Sequence, residues 1–253
     1  MIPKIIHLCW LSGDPYPSKI AKCLSTWKKY LPDYQVMLWD TKRFDLESSI
    51  WVKQAFEKRK YAFAADYIRF YALYNFGGIY LDSDVEVLKS FDDLLDLPYF
   101  IGAEKAQTPE AAIIGAEKGC DWIKQCLDYY DNRSFVKTNG DLDIRKLPEI
   151  MVEQISKLKP IRILSVQDSL YIRKMDMQSE FLEFNDVFFS PKVFDSRLVE
   201  ITSYTYAIHH YQNSWFSPKA KTYYRIRAYF VKCLGIRTVR KIERFVMPWR
   251  NKQ

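Results

Sequence analysis

The chain opens on an apolar run, Ile5-Ile6-His7-Leu8-Cys9-Trp10, that breaks at Ser12-Gly13-Asp14-Pro15. A short unbroken run ended by turn residues predicts a buried strand followed by a loop. Ser18 is placed to cap a helix whose apolar residues Ile20, Leu24, Trp27 and Leu31 recur at spacings of four, three and four. Pro32-Asp33 ends that helix, and residues 34–39 predict a second strand. A strand-helix-strand order predicts a parallel pair joined by a crossover helix.

Helical patterns follow from about Glu47 to Arg59 and from about Tyr61 to Asn75. The second stops at Gly77-Gly78, where glycine can supply the positive φ of a helix C-terminus. Ile79-Tyr80-Leu81 then reads as a short strand with Asp82-Ser83-Asp84 at its end, and Val85 to Leu88 as another extended segment. Further strands are expected near 99–103, 161–164, 186–189 and 206–209, and helices near 121–130 and 144–158. Alternating strands and helices predict an α/β fold.

Composition narrows the class. At 253 residues, 48% hydrophobic and 27% charged, the chain has the make-up of an ordered globular protein with a sizeable core. It shows no apolar run of membrane-spanning length, and no signal-peptide pattern at its start. Its five cysteines form no close pairs and are expected as reduced packing residues, which points to a cytoplasmic location. The net charge of +7 is unevenly spread. From Ser217 onward there are eleven Lys or Arg and one acid, Glu243, whereas the rest carries 27 basic and 30 acidic residues. A globular body over 1–216 and a basic tail over 217–253 are therefore expected.

In the tail, Ile226 and Phe230 lie four apart, and Val239, Ile242, Val246 and Trp249 follow at three, four and three. This is the pattern of basic amphipathic helices. Two readings stand: the helices lie on an anionic membrane surface, or they pack on the body by their apolar stripe. No nucleic-acid-binding module is recognisable, and no nucleic-acid partner is expected.

Asp82 and Asp84 lie two apart at a strand end, where alternation would point both carboxylates to one side. Two facing carboxylates repel, and a divalent cation relieves that repulsion. Oxygen ligands suit Mn²⁺ or Mg²⁺. One helix earlier, Asp66 and Arg69 are three apart and share a face. Such a pair can hydrogen-bond sugar hydroxyls while the arginine counters phosphate charge. The neighbouring Ala62, Ala64 and Ala65 permit close packing around it.

The strings Ala65-Asp66-Tyr67-Ile68-Arg69 and Gly77-Gly78-Ile79-Tyr80-Leu81-Asp82-Ser83-Asp84 resemble those of the DXD glycosyltransferases of family 32. That family includes capsular polysaccharide sugar transferases and yeast initiating mannosyltransferases, with the clostridial glucosylating toxins as distant relatives. Residues 2–10 resemble the family's opening strand, and residues 207–215 its closing His-to-Ser-Trp segment. The resemblance implies a GT-A fold, with a mixed central sheet and a Rossmann-like nucleotide-binding half. It implies a UDP-sugar donor, a glycan or lipid-linked acceptor, and transfer with retention of configuration. Leu8 and Trp10 would help bind the donor, Trp10 by stacking on the base. Asp66 and Arg69 would hold the sugar, and Asp82 would contact ribose, sugar or metal-bound water beside Ser83. Asp84 would ligate the metal, with His209 or His210 completing the site and Ser214 and Trp215 on the diphosphate. His209 and His210 alternate along a strand, so one alone can face the pocket, and His209, directly after the apolar Ala207-Ile208, is favoured. No second carboxylate pair is evident that would serve as a nucleophile, which favours front-face attack. A metal-dependent phosphoryl-transfer enzyme, or a non-enzymatic adaptor acting through the tail, are the competing readings.

Overall fold

A computed structural model describes residues 1–104, 107–191, 199–211 and 218–246. In chain order its elements are β1 (Ile5–Cys9), α1 (Ser18–Tyr30), β2 (Gln35–Trp39), α2 (Ile50–Glu57), α3 (Tyr61–Phe76), β3 (Gly78–Leu81), β4 (Val85–Val87), β5 (Tyr99–Ala103) and β6 (Pro109–Ala116). There follow α4 (Asp121–Asp128), α5 (Leu147–Ile155), β7 (Ile161–Ile163), α6 (Val166–Leu170), β8 (Phe181–Glu183), α7 (Asp186–Phe189), β9 (Ala207–His209), α8 (Pro218–Leu234) and α9 (Ile236–Val246).

The central sheet runs β2-β1-β3-β6-β5 and is mixed. β1 pairs in parallel with both β2 and β3, while β6 runs antiparallel to β3 and β5. The expected α/β fold with a mixed sheet, and the expected crossover between β1 and β2, are both present. Because β1 and β3 are parallel neighbours, Trp10 and Asp82 emerge at the same end of the sheet. β4 and β9 form a separate antiparallel pair, and β7 and β8 a parallel one.

The β1–β3 contact depends on two glycines. Gly77 closes α3 at φ 64°, its N–H bonding the Leu73 carbonyl at 2.8 Å. Gly78 has φ 108°, and a Cβ there would fall 2.6 Å from the Ile5 carbonyl oxygen. His7, fully buried, ties the same region together. Trp39 donates its indole N–H to His7 Nδ1 at 3.1 Å, so the ring proton is on Nε2, which donates to the Gly77 carbonyl at 2.7 Å. Burial pushes the His7 pKa down to about 4, so the ring is neutral at physiological pH.

Three expectations change. The strand expected at 186–189 is the helix α7, capped by the Asn185 side chain accepting from the Val187 amide at 3.3 Å. Ser18 is the first residue of α1 and not its cap; Pro17 holds that position, with no side-chain cap. Cys233, expected as packing, is exposed. β6 was not anticipated, although all eight of its residues are buried between β3 and β5. Among the described residues no helix is long and apolar enough to cross a membrane.

Candidate active site

α3 packs along β1, β3 and β6 and carries Asp66 and Arg69 on one face. Arg69 is only 4% exposed, which rules out a solvated surface pair. Its guanidinium donates to the Ala111 carbonyl, reaches Asp66 Oδ1 at 3.4 Å and Asp82 Oδ1 at 3.3 Å, and lies 4.3 Å over the Tyr80 ring. Tyr80 donates its hydroxyl to the same Asp82 oxygen at 2.9 Å. Asp66, Arg69 and Asp82 thus form one part-buried chain of opposite charges, with Arg69 its buried centre. Burial pushes Asp66 up to about 7, against the pull of Arg69. Burial also works against the charge on Arg69, but Asp82, Tyr80 and Asp66 together hold its pKa above the ordinary value.

Asp82 and Asp84 do not converge by strand alternation. The chain turns after β3, the Val85 amide bonding back to the Asp82 carbonyl at 3.0 Å. The β4–β9 pairing then sets His209 opposite Val85, next to Asp84. His209 Nε2 stands 3.6 Å from Asp84 Oδ1. One potential ligand atom each from Asp82, Asp84 and His209 lie within 4.8 Å of one another. Two carboxylate oxygens with one imidazole nitrogen make a donor set that suits Mn²⁺ or Mg²⁺. His210 points the other way. Its Nε2 meets Glu86 Oε2 at 2.7 Å, so of the two candidate histidines it is His209 that joins the aspartates.

The far side of His209 is held by Glu110, which the sequence reading did not nominate. Glu110 is fully buried at the start of β6, and its Oε1 lies 3.1 Å from His209 Nδ1. The Ala112 amide donates to that oxygen at 3.0 Å, and the Tyr211 hydroxyl reaches the other at 3.3 Å. Glu104 approaches the same ring, giving a second group of Glu104, Glu110 and His209 within 4.8 Å. Burial opposes charge on His209, but Glu110 and Asp84 outweigh it and raise its pKa to about 10. Burial likewise opposes charge on Glu110, but His209 holds it below its usual value. Burial and then the Glu110 charge push Glu104 up to about 8. The one signal in the sequence was Glu110 as the single charge in an apolar run. With Glu104 it forms a second group of carboxylates beside His209, where the sequence had shown no second carboxylate pair.

The other nominated residues divide. Trp10 is partly exposed just past β1, packed on Tyr16 at 4.9 Å between ring centroids, with its indole N–H on the Asp14 carbonyl at 2.8 Å. Ser83 is partly exposed between the aspartates. Leu8 is 3% exposed and belongs to the hydrophobic core, so its side chain does not line an open donor site as expected. Ser214 and Trp215 lie outside the described residues.

Fold and site together define a mixed α/β enzyme whose sheet end gathers aspartates and an imidazole in a cation-binding arrangement. Residues 17–101 match the family model of the glycosyltransferase sugar-binding region containing a DXD motif, so this part of the chain is of glycosyltransferase type. It is 27% identical over 191 residues to a glycosyltransferase of Acanthamoeba polyphaga mimivirus, covering 71% of this chain and 76% of the relative. It is 30% identical over 130 residues to inositol phosphoceramide mannosyltransferase 3 of Schizosaccharomyces pombe, covering 50% of this chain and 36% of that protein. It is 34% identical over 108 residues to the mannosyl phosphorylinositol ceramide synthase SUR1 of Saccharomyces cerevisiae, covering 40% and 27%. The chain therefore spans most of the viral relative but about a third of each of these yeast relatives. Among solved structures, the PaToxG glycosyltransferase aligns with a TM-score of 0.44 at 22% identity, over 62% of this chain and 71% of that one.

Proposed function

We propose that the chain transfers a hexose from a nucleoside diphosphate sugar to a hydroxyl of a glycan or lipid-linked acceptor, using Mn²⁺ or Mg²⁺ held by Asp82, Asp84 and His209. The observation that carries this is the convergence of those three side chains beside the part-buried Asp66–Arg69–Asp82 chain. When bound, the cation would neutralise charge on the departing diphosphate.

The protein's own residues supply the rest. Arg69 fixes Asp82 from behind and balances Asp66, leaving an edge of the Asp66 carboxylate, 13% exposed, to accept hydrogen bonds from sugar hydroxyls. Glu110 takes up Nδ1 of His209, so the ring presents Nε2 toward Asp84. Trp10 and Tyr16 form an aromatic shelf at the same sheet end, suited to a base. In a retaining, front-face reaction the acceptor hydroxyl attacks from the side the diphosphate leaves. The anomeric C–O bond to diphosphate breaks, the new glycosidic bond forms, and a diphosphate oxygen takes the hydroxyl proton.

UDP-hexoses are the first donors to test, with surface or capsular glycans as acceptors. The names of the yeast relatives add a mannosyl donor and an inositol-phosphate lipid acceptor as a further arm. The experiment is donor hydrolysis and transfer with UDP-glucose, UDP-galactose and GDP-mannose, with Mn²⁺ or with chelator. Asp84→Asn should lower turnover by more than the roughly 10–100-fold that loss of a ligand's outer partner costs, with the fold intact by circular dichroism. Turnover that persists undiminished in chelator or in that variant would overturn the reading.

A further inference from the structure

α8 carries two apolar faces, and among the described residues only one of them is covered. Ala228 and Val231 are buried, 6% and 7% exposed. On the opposite side Ile226, Tyr229, Phe230 and Leu234 are 53%, 66%, 47% and 48% exposed. At 100° per residue these four, with exposed Cys233 between them, fill one continuous arc of the helix. Arg225 and Lys232, both exposed, lie together along one border of that arc.

The charge beside this face is positive because of how α8 meets α9. Glu243 is the only acid from Pro218 to the end of the chain. It is bound by Arg227, with Nε at 2.7 Å from Oε1 and Nη2 at 3.3 Å from Oε2, and also accepts from the Tyr223 hydroxyl. That contact fixes the two helices against each other and neutralises the one negative group. Exposed Arg225, Lys232, Arg237 and Lys241 remain without a counter-charge in the tail sequence.

We propose that the outward face of α8 is a docking surface for an anionic phospholipid bilayer, with the helix lying in the plane of the headgroups. Ile226, Phe230 and Leu234 would enter the acyl boundary, and the Tyr229 ring would sit at headgroup level with its hydroxyl toward water. Arg225 and Lys232 can extend their stems along the apolar arc and place their charges on lipid phosphates. Charge complementarity decides between occupants. A second copy of the chain would bring the same positive border against itself, and a nucleic acid would leave the aliphatic side chains unused. The inference stands on α8 and α9 alone and does not depend on the donor or the metal.

The test is co-sedimentation of the full chain with phosphatidylcholine vesicles and with phosphatidylcholine–phosphatidylglycerol vesicles, at low and high salt. Binding should require the anionic lipid and weaken with salt. Ile226→Ser with Phe230→Ser should weaken it at least about tenfold, since each loses apolar area to bury. Arg225→Glu with Lys232→Glu should remove the preference for anionic vesicles. All four side chains are exposed, so thermal stability and donor hydrolysis in solution should stay at wild-type levels. Equal binding by all variants, indifference to lipid charge, or a self-association in ultracentrifugation that the serine variant abolishes without any vesicle binding would each overturn the proposal.

Discussion

Glu110 grips His209 from behind: its buried carboxylate lies 3.1 Å from Nδ1, which leaves Nε2 as the nitrogen turned toward Asp84. A carboxylate in this place fixes both the tautomer and the ring angle of an imidazole ligand. Glu110→Gln keeps the size but loses the charge, and should weaken Mn²⁺ binding by about 10–100-fold, the usual cost of losing such a partner. Titration of free Mn²⁺ by electron paramagnetic resonance reads this directly, apart from turnover. Unchanged Mn²⁺ affinity, with reduced turnover alone, would assign Glu110 to the acceptor side instead.

Arg69 is predicted to be as structural as it is functional. It is almost fully buried between two acids, so removing it leaves Asp66 facing Asp82 with no cation. Breaking a buried pair by deleting one partner costs about 3–5 kcal/mol. Arg69→Met should lose stability of that order in urea unfolding at neutral pH, and adding Asp66→Asn should recover part of it. A loss under about 0.5 kcal/mol, the range of ordinary surface changes, would show that the chain of charges is not holding the helix in place.

The parts of the site that depend on local pattern were legible in the sequence, and those that depend on register were not. Asp66 and Arg69 could be paired from helix periodicity, and Asp82 and Asp84 from their place after β3. The choice of His209 over His210 rested on which face of β9 meets β4, which only the Val85–His209 register settles. Glu110 was hidden because β6 has no alternation to read. Its residues are buried on both faces, so period-2 patterning is absent and the strand itself passes unseen. α7 was misread because four residues carry too little period to separate strand from helix, and the deciding signal was the cap at Asn185.

Gly78 should tolerate no side chain. It combines φ 108° with a would-be Cβ only 2.6 Å from a backbone oxygen of β1. Gly119 offers a control, because it has φ 76° but open space around its would-be Cβ. Gly119→Ala should therefore carry only the left-handed penalty of about 1–2 kcal/mol. Gly78→Ala should cost more, since β1 and β3 must also move apart and Asp82 would shift with them. Parallel urea midpoints for the two variants check this; equal losses would mean that the sheet absorbs the extra atom.

Glu183 makes the stability of the protein depend on pH in an unusual direction. It sits fully buried on β8, neither carboxyl oxygen has a hydrogen-bond partner among the described residues, and burial pushes its pKa from 4.5 up to about 8. An acid with a raised folded value is bound by its proton more tightly in the folded state than in the unfolded one. Between about 4.5 and 8 the unfolded chain has lost that proton and the folded chain keeps it, so stability falls as pH rises through this window and then levels off. Below 4.5 both states hold the proton and the group contributes no slope. Glu183→Leu removes the titration while filling a similar volume. The gain of the variant over wild type should be small at pH 5 and larger at pH 8.5, by an amount on the order of a few kcal/mol. Asp66 and Glu104 also carry raised values, so it is the difference between the two proteins, and not the wild-type slope, that isolates Glu183. Urea midpoints at the two pH values measure it, and a difference that does not change with pH would show that the carboxyl finds a partner or water where it now has none.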